Sequence, residues 1–411
     1  MDSHTDVVVV GAGAAGISAA YTLIEKGLDI IVVEAAERIG GRCWTDLETF
    51  GVPYDVGAHW LHYGDRNFFL AYGKETGFDL YPDAKNFSLY RQNQKQPNGL
   101  STIQQSHEEY WYAIQQAIDS NRDISVADAT ALLSSERVSD FIYGPWIMGK
   151  EIQEFSVFEY SGFLGDADWF CRQGFGTIVA RYGATLPVSL KTEVNAIDWS
   201  GDLLKIKTNQ GAIGARTVIV TVSTGVLSGG GIQFSPNLSI AKQEAFSAVS
   251  MGCYEHVVLQ FNEDSCFRQP DTYIICMPNN LREGFGALAN ISSSGLTFCD
   301  IGGNLARELI ALGEEACIDY ALGELVEIFG SSIKKNFIKG AASAWLENPY
   351  TLGSYASAEP GAFQMRATLN EPVGERIFFA GEACHCPMWA TVAGAFASGQ
   401  EVANKVSQLL R

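Results

Sequence analysis

The sequence predicts an α/β fold built on a parallel sheet and interleaved with a second unit of the α+β class. The first observation is size, because 411 residues at roughly 100–200 residues per domain suggest two or three units. The second is a β-branched run at 6–10 that leads directly into the glycine-rich residues 11–16. The third is the last stretch, 391–410, which has the length and the apolar face of a helix that closes such a domain.

The first 34 residues predict a complete strand–helix–strand unit. Runs of Val and Ile without alternation are typical of strands buried on both faces of a parallel sheet, and they occur within 6–10 and 29–33. The residues between them, 17–26, have the pattern of a helix. Gly27 follows in the position where a left-handed residue commonly ends a helix.

The middle of the chain differs from the first residues in its amino-acid composition. Residues 67–169 are richer in Gln, Tyr, Ser and Asn, which predicts a helical insertion rather than a continuation of the sheet. Further strands are expected at 188–190, 203–208, 217–222, 256–261, 341–345 and 376–379, and further helices at 103–118, 126–133 and 314–329. The two ends of the chain are thus expected to build one domain that the middle interrupts twice.

Composition and charge exclude several classes of protein. A hydrophobic share of 47% with a charged share of 18% excludes general disorder. The formal charge of −19 repels nucleic acid and anionic lipid, so neither is an expected partner. No apolar run approaches the roughly 18 residues that a membrane-spanning helix needs. Nine scattered cysteines and a chain that starts directly with a strand predict a soluble, cytoplasmic protein without a disulfide framework.

One short cluster has the residue types that bind metals. Cys384, His385 and Cys386 resemble half of a zinc site, but no second Cys/His pair at ligand spacing accompanies them. We therefore expect no metal ion.

The glycine spacing at 11–16 predicts a dinucleotide site. Gly11 permits the tight turn, Gly13 lets the backbone approach a pyrophosphate, and Gly16 lets helix and strand pack closely. The helix that follows offers unpaired N–H groups and about half a positive charge to phosphate. Glu34 ends the second strand, where a carboxylate binds ribose hydroxyls and disfavours the 2′-phosphate of NADP.

A second glycine-rich turn, at 38–45, carries Arg38 and Arg42. A nicotinamide dehydrogenase has no need of such a turn at this place. In a flavoprotein, two glycines let the chain pass close to the cofactor, and an arginine contacts its pyrophosphate or its flavin. The turn therefore favours FAD.

With these motifs the sequence resembles the flavin-containing amine oxidase superfamily, which includes monoamine, polyamine and bacterial amine oxidases and the FAD-dependent histone demethylases. The matching segments cover nearly the whole chain in order: 8–16 with Glu34, 38–45, 54–62, 173–176, 221–227, 379–383 and 390–395. The resemblance implies a Rossmann-like FAD domain and a substrate domain with a mixed sheet and a helical insertion. The expected boundaries are 1–70, 170–240 and 375–411 for the former, and 71–169 and 241–374 for the latter.

The resemblance also implies which residues hold the FAD. They are Gly11, Gly13, Ala15, Gly16, Glu34, Arg42, Gly57, Ala58, His59, Trp60, Val194, Gly381, Glu382, Thr391 and Val392. Val194 falls where the family contacts adenine through the backbone. Ser354 stands where mammalian monoamine oxidases carry the cysteine that bonds the flavin, and a serine cannot form that thioether. We therefore expect FAD that is held without a covalent bond.

The implied chemistry is hydride transfer from the carbon beside an amine nitrogen to flavin N5. The resulting imine hydrolyses to an aldehyde or ketone, and dioxygen is reduced to hydrogen peroxide. Tyr355, ten residues after Trp345, is expected to form one wall of an aromatic cage around the substrate nitrogen. The opposite wall falls at Thr391, so Met388 and Trp389 are expected to supply the missing surface.

His256 departs from the family pattern. Most members carry a lysine on this strand that holds a water against the flavin and is tied to reoxidation by dioxygen. The register of 257–261 puts His256 in its place, and a histidine titrates near ~6.5. Three alternatives stay open: His256 holds the water in a pH-dependent way, another electron acceptor replaces dioxygen, or His256 is an ordinary strand residue.

Other functions also stay open. A related dehydrogenase or desaturase would use an acceptor other than dioxygen, and a flavin-binding protein without turnover is the remaining class. An amino-acid oxidase needs an arginine for the substrate carboxylate, and polyamine substrates need carboxylates along the tunnel. The candidates are Arg172, Arg268, Arg282 and Arg366 for the first and Glu151, Glu154 and Glu159 for the second. The expected partners are a small amine, dioxygen or another acceptor, and a second copy of the chain in a homodimer.

Overall fold

The computed structural model describes residues 4–91, 94–133, 138–161, 167–277 and 284–411. Its strands are β1 (His4–Val10), β2 (Ile30–Val33), β3 (Thr45–Asp46), β4 (Tyr54–Asp55), β5 (Leu80–Pro82), β6 (Asn86–Arg91), β7 (Gln94–Lys95), β8 (Trp169–Cys171), β9 (Val188–Ser189), β10 (Val194–Asp198), β11 (Leu204–Thr208), β12 (Gly211–Val220), β13 (Gln233–Ser235), β14 (Val249–Met251), β15 (Tyr254–Phe261), β16 (Thr272–Met277), β17 (Phe285–Ala289), β18 (Leu296–Gly302), β19 (Phe337–Ala342), β20 (Ala356–Ala358) and β21 (Ile377–Phe379).

The α-helices are α1 (Ala14–Glu25), α2 (Phe68–Glu75), α3 (Gly99–Asp119), α4 (Val126–Thr130), α5 (Val138–Phe141), α6 (Phe175–Gly183), α7 (Thr224–Ser228), α8 (Ile240–Ala248), α9 (Gly303–Leu312), α10 (Glu314–Phe329), α11 (Met365–Asn370) and α12 (Val392–Leu409). A π-helix at Ile142–Trp146 extends α5. Short 3-10 helices lie at Gly64–Arg66, Val157–Tyr160, Ile291–Ser293, Ser331–Lys335 and Glu382–Cys384.

The first large sheet combines both ends of the chain with its middle. Its order is β13-β10-β11-β12-β1-β2-β9, and β21 also pairs with β12. The pairs β12–β1, β1–β2, β2–β9 and β12–β21 are parallel, whereas β10–β11–β12 is antiparallel. Buried valines of β1 face apolar clusters on both sides of the sheet, which is why this strand lacks alternation. The parallel core predicted from the sequence is confirmed.

Helices α1 and α12 pack closely on this sheet. A Cβ on Gly399 would lie 2.1 Å from the Ala15 carbonyl oxygen, so only glycine permits this approach. The Ser18 hydroxyl donates to the Phe396 carbonyl across the same contact, at 2.7 Å. Gly27 ends the helical turn after α1 with φ of +79°, the left-handed conformation that its position predicts.

The second large sheet is mixed, with the order β19-β15-β18-β17-β16-β6-β7. Its pairs are antiparallel except β16–β6, which is parallel. Strand β6 comes from the segment 67–169, for which only helices were expected, so that expectation was wrong in part. The polar character of 86–91 hid the strand, because the sheet places it near an edge with partly exposed side chains.

Several element boundaries also differ from the predictions. The strand expected at 341–345 is β19, which ends at Ala342 because the chain turns away there towards Trp345. The helix expected at 126–133 ends at Thr130. The helix expected at 314–329 is α10 in full. The α/β fold class is confirmed, and the domain boundaries stay a prediction.

Candidate active site

A cavity of about 900 Å³ runs from the carboxyl ends of β1 and β2 to the second sheet. Most residues selected from the sequence line it. They are Gly11, Gly13, Ala15, Glu34, Arg42, Gly57, Ala58, His59, Trp60, Val194, His256, Trp345, Tyr355, Gly381, Glu382, Thr391 and Val392. Gly16 does not belong to the lining and instead lies at the contact between helix and strand.

The glycines at the end of β1 make room for close backbone contacts. Gly11 has φ of +100°, and a Cβ there would lie 2.5 Å from Thr221 Oγ1. A Cβ on Gly16 would lie 1.9 Å from the Gly11 carbonyl oxygen. Gly13 is bridged to Gly40, so the two glycine-rich turns touch each other. The N-cap of α1 is Gly13, which has no side chain to bond the first N–H groups of the helix, and such groups suit an anion.

Glu34 lies at the end of β2 and is buried. Its two carboxylate oxygens accept hydrogen bonds from the backbone N–H groups of Ala12, at 2.7 Å, and Ala36, at 2.9 Å. These bonds fix the carboxylate beside the glycine turn. Each oxygen retains a lone pair, as the binding of vicinal hydroxyl groups requires.

Arg42 and Glu382 connect the second glycine turn to the start of the last helix. Arg42 Nη1 donates to Glu382 Oε1, at 2.9 Å, and to the Ser354 carbonyl, at 2.6 Å. Glu382 Oε2 accepts from the Ala390 N–H, at 3.1 Å. The Thr391 hydroxyl caps α12 by accepting from the Gly394 N–H. The network holds the N-terminus of α12 against the cavity.

The residues at this end of the cavity fit a dinucleotide. Two glycine turns supply a cradle that a Cβ would fill, an uncapped helix N-terminus suits phosphate, and the fixed carboxylate of Glu34 suits ribose. Val194 lines the same end of the cavity, and Arg42 keeps a partly exposed guanidinium there.

Aromatic side chains dominate the other end. The Tyr355 hydroxyl donates to the Ile147 carbonyl, at 2.6 Å, and its ring centroid lies 5.9 Å from that of Tyr254. Burial raises the pKa of Tyr355 well above its ordinary value, so the phenol is uncharged. Trp345 Nε1 donates to the Val56 carbonyl, at 3.1 Å. Tyr254 was missed because its position in a buried strand is that of an ordinary core residue.

Trp389 and Met388, the two residues expected to complete the aromatic wall, lie in different surroundings. Trp389 lines the cavity, and its Nε1 donates to the Glu159 carbonyl at 2.9 Å. Met388 does not line the cavity but packs with Ala393 and with Tyr63, which does line it. The role of both residues in the aromatic wall stays a prediction.

Both ring nitrogens of His256 are engaged by protein oxygens. Nδ1 lies 2.5 Å from Asp300 Oδ1, and Nε2 lies 2.8 Å from the Gly57 carbonyl oxygen. Burial alone would lower the pKa of His256, but the Asp300 carboxylate outweighs it and raises the pKa. The ring therefore has no free nitrogen to hold a water, which argues against the first alternative considered for this residue.

His59 stacks on His256, with ring centroids 4.8 Å apart and an interplanar angle of 16°. Its ring nitrogens are buried and have no hydrogen-bond partner among the described residues. Burial, with a smaller contribution from His256, holds the pKa of His59 well below its ordinary value, so the ring is neutral.

A polar cluster on the cavity wall was missed by the sequence analysis. The Tyr273 hydroxyl accepts from Trp60 Nε1, at 3.0 Å, and donates to Asp83 Oδ2, at 2.6 Å. Next to it, the Lys85 ammonium contacts Asp168 Oδ2, at 2.9 Å.

The two carboxylates of this cluster, those of Asp83 and Asp168, differ in whether a basic side chain forms an ion pair with them. Burial alone would raise the pKa of Asp168, but His62 Nδ1, at 2.8 Å, and Lys85 outweigh it and lower the pKa to about 2. In the described part of the chain, no Lys, Arg or His nitrogen lies within 4.0 Å of the Asp83 carboxylate. Burial raises the pKa of Asp83. The charge of Lys85 offsets this rise only in part, and Asp83 is a cavity carboxylate that forms no ion pair among the described residues.

The charged candidates named from the sequence lie elsewhere. Arg172, Arg268, Arg366, Glu151, Glu154 and Glu159 are described and do not line the cavity. Arg366 and Glu159 form a buried ion pair, with Nη2 2.7 Å from Oε2. Arg282 lies outside the described residues. The six described positions do not supply a carboxylate or an arginine to the cavity wall.

The part of the chain that the structure describes contains no group of three His, Cys, Asp or Glu side chains placed to hold a metal ion. No described helix combines the length and the hydropathy that crossing a membrane requires.

Comparison with known proteins gives matches over most of the chain. A family model described as flavin containing amine oxidoreductase matches residues 14–167 and 150–407. The human lysine-specific histone demethylase 2 is 25% identical over 451 residues, which cover 99% of this chain and 54% of that protein. The probable polyamine oxidase 4 of Arabidopsis thaliana is 26% identical over 429 residues, which cover 96% of this chain and 85% of that protein.

The chain spans about half the length of the histone demethylases that it matches. Among solved structures, wild-type putrescine oxidase bound to putrescine has a TM-score of 0.82 at 19% identity, covering 99% of both chains. A variant of the same oxidase reaches a TM-score of 0.83 at 20% identity, again covering 99% of both chains. At this identity the likeness shows a shared fold.

Proposed function

Because the chain belongs to the flavin-containing amine oxidoreductase family, we propose that it is an FAD-dependent amine oxidase. The proposed reaction removes a hydride from the carbon beside an amine nitrogen, and water hydrolyses the resulting imine to an aldehyde or ketone. Dioxygen is reduced to hydrogen peroxide. The observation that carries the proposal is one cavity with a dinucleotide cradle at one end and an aromatic chamber at the other.

FAD is proposed to bind at the cradle without a covalent bond. The N–H groups at the start of α1 would hold the pyrophosphate, Glu34 the ribose hydroxyls and the backbone of Val194 the adenine. Arg42, Gly57 and Ala58 are proposed to hold the end of the cofactor nearer the aromatic chamber. The Ser354 hydroxyl donates to the Gly252 carbonyl, at 3.0 Å, which supports a structural role for this side chain.

The bound flavin supplies the hydride acceptor, and the chain supplies binding, orientation and exclusion of water. The chamber walls include Trp345, Tyr355 and Trp389. An apolar surrounding disfavours the charged form of an amine, so these walls would favour the free base that can react. Tyr355, fixed by its bond to Ile147, is proposed to orient the substrate nitrogen, and Thr391 to present the N-terminus of α12.

The polar cluster favours an amine that carries a second cationic group. Asp83 offers a carboxylate that forms no ion pair among the described residues, and it lies beside the rings of Trp60 and Tyr273. Carboxylates and aromatic faces both attract ammonium groups. We therefore propose diamines as good substrates, with the oxidised nitrogen near Tyr355 and the second nitrogen near Asp83.

A second candidate is a dehydrogenase that passes electrons to an acceptor other than dioxygen. The engaged ring of His256 favours it, because no free nitrogen remains there to hold a water. The nine cysteines are free thiols, which supports the proposed cytoplasmic location of either enzyme.

The experiment that tests the function is anaerobic mixing of the purified holoenzyme with a panel of amines. Bleaching of the oxidised flavin band near ~450 nm is expected with the proposed substrates. Repeating the reaction in air with peroxide measured separates the two candidates, because only an oxidase forms stoichiometric peroxide. A colourless protein that does not take up FAD would refute both.

A further inference from the structure

His256 and Asp300 form a cross-strand pair in the second sheet. The register of β15 and β18 places the two residues directly opposite each other, so their side chains leave the same face of the sheet. Both side chains are buried, with 5% of His256 and 0% of Asp300 exposed. His256 is also part of the cavity wall, which Asp300 does not reach.

The hydrogen bonds determine where the protons lie. A carbonyl oxygen only accepts, so His256 Nε2 carries the hydrogen that it donates to Gly57. The other nitrogen faces a carboxylate oxygen at 2.5 Å, so a second proton lies between Nδ1 and Asp300. His256 forms the ion pair with this buried carboxylate. Burial and, after it, the Asp300 carboxylate raise the pKa of the neighbouring Tyr254, which also has a side-chain hydrogen bond to Asp300.

The other titratable groups around His256 do not supply that proton. Glu255 points to the opposite face of β15, where it accepts from Ser343 and Leu346. Tyr254 stands edge-on to the ring, with centroids 5.5 Å apart, and His59 stacks on it as a neutral ring. Asp55 hydrogen-bonds to Thr45 and to the N-terminus of α6.

We propose that Asp300 is a positioning residue that keeps His256 protonated on both ring nitrogens, so that the ring clamps the Gly57 carbonyl in the cavity wall. The clamp acts on a narrow passage of the chain, because a Cβ on Gly57 would lie 1.8 Å from the Arg42 carbonyl oxygen. Trp345 Nε1 donates a hydrogen bond to the carbonyl of Val56, the residue before Gly57. Asp300 thus fixes the wall segment at 56–58 through His256, without touching any occupant of the cavity.

The proposal is tested by following the ring nitrogens of the ¹⁵N-histidine-labelled holoenzyme by NMR. The chain has only six histidines, and the His256→Gln variant assigns the signal. In the wild type, His256 is expected to keep both N–H groups as the pH rises past the ordinary histidine pKa of ~6.5. In Asp300→Asn, whose amide preserves the side-chain shape, burial is no longer outweighed, so the ring is expected to lose one proton at a lower pH than in the wild type.

Two further variants separate the clamp from general loss of structure. Asp300→Glu is expected to restore the doubly protonated ring. Asp83→Asn changes another carboxylate close to the cavity that does not contact His256, and its His256 signal is expected to match the wild type. If wild-type His256 titrates near 6.5, or if Asp300→Asn keeps both N–H groups, the proposal is overturned.

A second readout concerns the cofactor and rests on the proposed function. Asp300→Ala is expected to bind FAD about tenfold more weakly, a loss of about 1.4 kcal/mol, because the wall segment is no longer held. Unchanged FAD affinity in this variant would overturn the clamp even if the protonation result holds. The NMR result does not depend on amine oxidation, so failure of the proposed function is seen separately, as a missing reaction with amines.

Discussion

Replacing Asp83 with asparagine is expected to weaken the binding of diamines much more than that of monoamines. Two unit charges about 4 Å apart interact by about 4 kcal/mol at an effective dielectric constant of about 20. Because Asp83 is only half-buried and the ammonium group loses hydration on binding, the favourable interaction energy is smaller than this value. A hydrogen bond to a charged group typically contributes about 1.5–3 kcal/mol, so we take about 2 kcal/mol. The KM for a diamine should then rise about 30-fold, with kcat nearly unchanged.

The assay compares diamines with monoamines of equal chain length, such as 1,4-diaminobutane and butylamine. Asp79→Asn is the matched control, because Asp79 pairs with Arg172 and does not line the cavity. Lys85→Met removes a positive charge beside the same site, so it is expected to lower the KM for diamines. Equal changes for diamines and monoamines in Asp83→Asn would refute the assignment of Asp83 to the second nitrogen.

Three further predictions concern the cofactor and stability. Gly11→Ala should abolish FAD binding, because its Cβ would lie 2.5 Å from Thr221 Oγ1, whereas Gly323→Ala in open space within α10 should bind FAD normally; equilibrium dialysis measures both. Acid denaturation of the holoenzyme should release all FAD into the supernatant, and a yellow pellet would contradict non-covalent binding. The depressed pKa of Asp168, about 2, stabilises the fold above the unfolded pKa near ~3.9, and this contribution is lost as pH falls through about 2. Because Lys85 and His62 are half-exposed, Asp168→Asn should cost about 1 kcal/mol at pH 7 by urea unfolding and nothing near pH 2.

The cofactor end of the cavity could be predicted because its signals are local. The strand β1, the glycine turn, α1, β2 and Glu34 follow one another within the first 34 residues. Where a Cβ would overlap a neighbouring carbonyl, only glycine fits, so such a position can be recognised from the glycine in the sequence. The same holds for the turn with Arg42, which touches the first turn at Gly13 and Gly40.

The aromatic end of the cavity, where we propose that the amine binds, could not be predicted in the same way, because long-range contacts assemble it. Asp83 accepts a hydrogen bond from Tyr273, which lies 190 residues away in the sequence. His256 donates to the carbonyl of Gly57, which lies 199 residues away. A lone aspartate after a strand of three residues has no periodic or spacing signal. The family resemblance selected His256 correctly as a cavity residue, but only the hydrogen bonds exclude a water on its ring.

One segment, at 56–62, connects the two ends of the cavity. Val56 and Gly57 receive hydrogen bonds from Trp345 and His256 of the substrate side, while Ala58 donates to Arg42 beside the cofactor cradle. Farther along, Trp60 donates to Tyr273 and His62 contacts Asp168 in the polar cluster. The same stretch of backbone is therefore held by groups at both ends. A change that shifts this segment must alter FAD binding and amine selection together, whereas Asp83→Asn, which leaves it in place, should alter amine selection alone.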